Sequence, residues 1–248
     1  MSSSSKGTEK MMNVVGHLSE LRNRLLVIMI VFVVFFALGF VNLKEIYTFL
    51  IKGIDIQLTV MSPGEIIWIY LYISGVIGFI GTIPILAYQL WAYISPGLTS
   101  KEKRVSLIYI PTLFILFILG FIFGYIMFIN LIFPFLLSLN DGMFNEMFTV
   151  EKYFRFMFGI TLPFAFLFEL PIMVMFLTKL GIITPHFLTK NRKYAYFLLI
   201  VIAAFITPPD IVMQIIIAIP LIILYEISVF VSKMVFRKKT YAKSESIS

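Results

Sequence analysis

The chain has 248 residues, 60% hydrophobic and 13% charged, with a mean hydropathy of +0.99 and a formal charge of +7. That composition cannot furnish the polar surface of a water-soluble domain, and the absence of cysteine excludes disulfides, a thiolate metal centre and a catalytic thiol. His17 and His186 do not make a metal cluster, no metal or cofactor is expected, and the bases sit between apolar runs without any nucleic-acid-binding spacing.

In chain order, residues 1–10 are Ser-rich and read as disordered. Residues 11–24 read as an amphipathic helix at the cytoplasmic interface, because Met11, Val14, Leu18, Leu21 and Leu25 recur every three or four residues. Residues 25–236 form one membrane domain with six apolar stretches: Leu25–Val41, Ile66–Ile94, Val105–Leu139, Phe154–Leu177, Tyr194–Ile206 and Ile211–Val231. Crossing a hydrocarbon core of ~30 Å takes an α-helix of ~20 residues. Continuous runs of this kind exclude an outer-membrane barrel, whose strands alternate apolar with polar residues. The first run is long for a secretory signal and lacks a small-residue cleavage pattern, so it is an uncleaved span. The fifth has about 13 apolar residues, roughly 20 Å of helix, and should thin the bilayer beside it. Residues 237–248 are a basic tail, also read as disordered.

Pro84, Pro111, Pro134, Pro163, Pro171 and Pro220 fall within the spans and tend to kink them. Kinked long helices beside a short one imply an all-α integral membrane protein with six transmembrane helices in a concave, glove-like arrangement. The loops Asn42–Glu65 and Asn140–Glu151 are long enough to cap its outer face. Six crossings return the chain to its starting side, where 16 Lys and Arg lie against 4 in the alternate loops. Both termini are therefore expected in the cytoplasm. No internal repeat is evident.

Two carboxylates fall inside the spans, Glu169 and Glu226, and burying either is costly enough to mark a functional position. Glu169 lies near mid-membrane beside Pro171, facing either a wet groove or a hydrogen-bonding Thr, Tyr or kinked backbone. Glu226 is nearer the inner end, where snorkelling toward Lys233 would satisfy it. Among the cytoplasmic bases stand Glu20 and Glu102. Glu20 can pair with Arg24, one turn on, and Glu102 can neutralise its basic loop. Two such acids at the mouth of one groove also suit a ligand that presents arginines, which pair bidentately with carboxylates.

The markers combine into one pattern: His17, Glu20, Arg22 and Arg24 before the first span; Tyr88, Gln89 and Trp91 through Ser95, Pro96, Gly97 and Leu98 to Glu102; Phe168, Glu169 and Pro171 in the fourth; and Thr207, Pro208, Pro209 and Asp210 with Gln214, Tyr225 and Glu226 around the last pair. Over nearly the whole chain this pattern resembles the TatC family, the signal-receptor subunit of the twin-arginine protein translocase. Two positions depart from it: Tyr47–Ile51 lacks a proline often found there, and Tyr93 stands where Phe is usual.

The resemblance implies a non-enzymatic, multi-pass protein of a bacterial cytoplasmic membrane. It implies that Glu20, Glu102, His17, Arg22 and Gln89 bind the twin-arginine signal peptides of folded cargo proteins. Glu169, Gln214, Pro171 and Glu226 are implied in an intramembrane pocket and in partner contact, with Pro208, Pro209 and Asp210 as the turn between the last two spans. The partners implied are TatA-type membrane subunits, with or without a separate TatB-like one, in homo- and hetero-oligomers driven by the proton-motive force. Two rival functions remain open at this point. One is a proton-coupled secondary transporter using Glu169, which should show paired broken helices and internal symmetry. The other is a membrane scaffold indifferent to signal sequence.

Overall fold

Helix formation follows the apolar runs. The computed structural model describes residues 3–52, 57–95, 107, 109–140, 147–207 and 210–245, without the side chains of 3–18, 94 and 238–245. In order the helices are α1 (Ser3–Val41), α2 (Leu43–Leu50), α3 (Pro63–Ile94), α4 (Tyr109–Met127), a π-helical turn (Phe128–Ile132), α5 (Phe133–Ser138), α6 (Val150–Leu167), α7 (Leu170–Leu180), α8 (Pro185–Lys190), α9 (Arg192–Ile206) and α10 (Ile211–Glu245). Among the described residues, extended pairing is confined to one parallel bridge between Thr59 and Thr149. The fold class is thus an all-α membrane protein.

Among the described residues, five helical stretches are long and apolar enough to cross a membrane: Ser19–Val41, Pro63–Tyr93, Tyr109–Ser138, Val150–Leu180 and Ile211–Arg237. The sixth expected span lies in α9, whose 15 residues rise only about 22 Å. At the two ends the helices extend beyond the apolar runs. Residues 3–10 are helical, the segment 11–24 runs unbroken into the first apolar run, and α10 continues to Glu245. No proline interrupts α1, and Gly7 and Gly16 cost about 1 kcal/mol each, which a propagating helix absorbs.

The contacts divide the chain into two compact units, Met1–Lys52 with Ser62–Ile110, and Gly53–Met61 with Pro111–Ser248. In the first, α1 packs along α3. Small residues make that approach possible: a Cβ on Gly78 would stand 3.0 Å from the ring of Phe32, and one on Gly81 would enter the ring of Phe35. Ile73 and Ser74 are fully buried there.

In the second unit the abundance of Phe finds its place. Phe128, Phe133, Tyr153 and Phe154 form a chain of edge-on and tilted rings with centroids 5.2–5.6 Å apart. Proline shapes the backbone at two points. The ring of Pro134 would strike the carbonyl of Asn130, four residues back, and the π-helical turn there, closed by Phe133 N–H donating to Phe128 O, avoids the clash. Pro171 would likewise strike Leu167, and α6 ends at that residue. Phe168 and Glu169 form the break, and α7 restarts at Leu170 with Pro171 in its first turn. At the far end of α7, Gly181 takes a left-handed conformation at φ 85°, and Ile182 N–H reaches back to Leu177 O.

The break is held against α4 by a close approach. A Cβ on Gly120 would lie 2.7 Å from Phe168 Cβ and 2.8 Å from Ala165 Cα, and backbone cannot withdraw. Gly120→Leu is expected to destabilise the protein by about 1–3 kcal/mol, read as a lower melting temperature in detergent. An unchanged melt would show that α4 does not seat the break.

Outside the spans, residues 57–61 meet 147–149. Thr59 N–H donates to Phe148 O at 2.9 Å and Val150 N–H donates to Thr59 O at 3.0 Å. Thr149 also caps α6 through its hydroxyl, which accepts from Lys152 N–H.

Candidate functional site

In the first unit, three side chains converge where α1 emerges toward its N-terminal end. Glu20 Oε1 accepts from Arg24 Nη2 at 2.6 Å and Nε at 3.1 Å. Arg24 Nη1 donates to Gln89 Oε1 at 3.0 Å. The pairing of Glu20 with Arg24 foreseen from their spacing is present, and Arg24 also ties α1 to α3. Side-chain exposure is 21% for Arg24 and 42% for Glu20, so the arginine is the inner member and the carboxylate faces outward. Arg22 is exposed beside Asn23. The His17 side chain and the whole of Glu102 lie outside the described residues, so the grouping that the structure gives is Glu20, Arg24 and Gln89. The sequence marked Arg24 only as a neutraliser of Glu20; its second bond, to Gln89, had no local signal.

In the second unit, Glu169 stands at the break between α6 and α7. Its exposure is 9%, and neither carboxyl oxygen has a hydrogen-bond partner in the structure. Among the described residues no Thr, Tyr or backbone group bonds it. Its backbone N–H bonds Phe166 O and its carbonyl accepts from Met173, so the main chain is satisfied while the acid is left over. A buried carboxyl without partners costs stability that an apolar side chain would not.

Glu226 is a correction. Its partner is not Lys233, about 10 Å further along the helix axis. Glu226 Oε2 accepts from Arg192 Nη2 at 2.7 Å and Oε1 accepts from the Tyr196 hydroxyl at 2.6 Å. Arg192 and Tyr196 sit one turn apart on α9, and that spacing was the available signal. Tyr225 donates to Leu188 O at 2.9 Å, and Thr178 and Ser232 join their hydroxyls at 2.8 Å between α7 and α10. These bonds fasten α7, α8 and the start of α9 to α10, away from the α9–α10 turn.

At that turn, Asp210 Oδ1 accepts from Val212 N–H and its carbonyl from Gln214 N–H, which starts α10. Gln214 Nε2 donates to Ile200 O at 3.3 Å, so part of its amide is used within the fold. Pro208 and Pro209 lie outside the described residues. Among the described residues no group of three His, Cys, Asp or Glu could hold a metal ion.

The chain has relatives. A family model described as Sec-independent protein translocase protein (TatC) matches residues 16–220, a range that includes Glu20, Gln89, Glu169 and Gln214 but stops short of Glu226. Sec-independent protein translocase protein TatCd of Bacillus subtilis is 46% identical over 231 residues, covering 93% of this chain and 96% of the relative. TatCy of the same organism is 40% identical over 235 residues, covering 92% and 91%. Among solved structures, the twin arginine translocase receptor TatC matches with a TM-score of 0.76 and 35% identity over 88% of this chain and 99% of that one.

Proposed function

This chain belongs to the TatC family of Sec-independent protein translocase proteins, and from that premise we propose that it is the receptor subunit of a twin-arginine translocase, not an enzyme. It binds the twin-arginine signal peptides of folded proteins and assembles with TatA-type subunits, with or without a TatB-like one, for export driven by the proton-motive force. It works in a bacterial cytoplasmic membrane with both termini in the cytoplasm, as the asymmetry of Lys and Arg supports.

The observation that carries the reading is the Glu20 carboxylate, already engaged by one guanidinium through a single oxygen. A carboxylate accepts two arginine contacts with ease, and this one is outward enough to meet an incoming arginine. Glu102 joins it on the strength of the family resemblance. Glu169, Pro171 and Gln214 serve partner helices, since an unpaired acid at a helix break is a site waiting for a donor. A proton-coupled transporter is less well supported: Glu226, the other acid within the spans, is already ion-paired to Arg192.

Photo-crosslinkers at positions 20 and 102 are expected to capture a twin-arginine signal peptide and not its twin-lysine version. One at position 169 is expected to capture a TatA-type helix. Equal capture of both signal peptides would leave only a scaffold.

A further inference from the structure

The structure holds an open cleft of about 470 Å³ between the start of α6 and the end of α9, lined by Lys152, Arg155, Phe156, Gly159, Pro163 and the Phe205–Ile206 corner. We propose that this cleft binds an anionic phospholipid, with the phosphate on Lys152 and Arg155 and an acyl chain along the apolar remainder.

The layout follows from helical spacing. Lys152, Phe156, Gly159 and Pro163 recur every three or four residues and so share one face of α6, with Arg155 beside Lys152. From Lys152 to Pro163 that face runs about 16 Å, polar at its outer turn and apolar below. The cations lie in the opening turns of the Val150–Leu180 span, at the depth of headgroups. Glu151 pairs with Arg155 at 2.6 Å, while among the described residues Lys152 forms no ion pair. The positive end of the α6 dipole disfavours added cations and favours an anion, so Lys152 is the cation that asks for a counter-charge, with Arg155 beside it.

The apolar part is vacant for a reason of length. Helix α9 is too short to match the hydrocarbon thickness, and Phe205 at its end is 87% exposed. Nothing lies within 4 Å of a Cβ built on Gly159, so the floor of the cleft is open along α6. A basic pocket between membrane helices with an apolar floor is suited to an anionic lipid. A free anion would use the cations and leave the floor and Phe205 uncovered.

The full chain, reconstituted in vesicles of equal parts phosphatidylcholine and phosphatidylglycerol and then extracted, is to be weighed intact by native mass spectrometry. The wild type is expected to retain phosphatidylglycerol in preference. Lys152→Gln should reduce that preference about fivefold, the worth of one lysine at an anionic surface, and Lys152→Arg should restore it. Gly159→Leu, whose Cβ meets no protein atom within 4 Å, puts a side chain into the floor and should reduce retention of both lipids. An undiminished preference in Lys152→Gln would overturn the proposal whatever Gly159→Leu does. Displacement of the lipid by inorganic phosphate would also overturn it, leaving a plain anion site.

Discussion

Export of a folded reporter carrying a twin-arginine signal is expected to fall to background in Glu20→Lys, while the membrane abundance of the protein stays level. A hydrogen bond to a charged group is worth about 1.5–3 kcal/mol, roughly ten- to a hundredfold in affinity. Reversal adds repulsion, both toward the incoming arginines and toward Arg24 one turn away. Abundance holds because Glu20 is on the outward side of its pair and the packing of α1 on α3 lies further along, around Phe32, Phe35 and Ile73. Glu20→Gln keeps an acceptor and loses the charge, so it should fall between. Arg24→Gln separates recognition from fastening: it leaves the carboxylate in place and should retain export. Equal loss of export in Arg24→Gln and Glu20→Lys would assign Glu20 to holding the helices and not to the signal.

Glu169→Leu should move stability and function in opposite directions. The acid is buried and neither oxygen has a partner among the described residues, so an apolar side chain of similar size removes a desolvation cost of about 1–3 kcal/mol. The melting temperature in detergent should hold or rise. Transport and copurification of a TatA-type subunit should nonetheless be lost, because the partner donor would meet no acceptor. Glu169→Gln, which can still accept one bond, should keep part of both. A variant that melts lower and yet transports normally would make Glu169 a structural residue whose partner lies within the fold.

The crossings were legible because continuous apolar runs exclude a barrel, and a helix in lipid bonds every backbone group inside itself, so apolar length marks the span. The shortness of α9 was legible for the same reason. What happens at the prolines was legible only in part. Pro134 and Pro171 both announce a disturbance, yet whether the chain answers with an extra residue, as at Phe128–Ile132, or with a break, as at Phe168–Glu169, depends on what packs there. Gly120 admits Phe168 against α4, and no periodicity of α6 alone reveals that neighbour. The same limit explains Glu226. Its distance to Lys233 could be read along one helix, while Arg192 comes from another, 34 residues away. At the N-terminus composition gives no sign of continuity: a Ser-rich start is a poor helix by itself, but it inherits the nucleus that the first span supplies.

The bridge between Thr59 and Thr149 bears on the order in which the molecule assembles. It joins stretches 89 residues apart at the Thr59–Phe148 bond, and the intervening chain must cross the bilayer through α3 and return through α4 before the two can meet. Independent insertion of helices therefore comes first and the bridge is a late closure. Until it forms, the segment that opens α6 is untied at its leading residue, because Val150 N–H has its acceptor in Thr59. The fourth crossing is thus completed from outside the membrane, by a residue translated before the second.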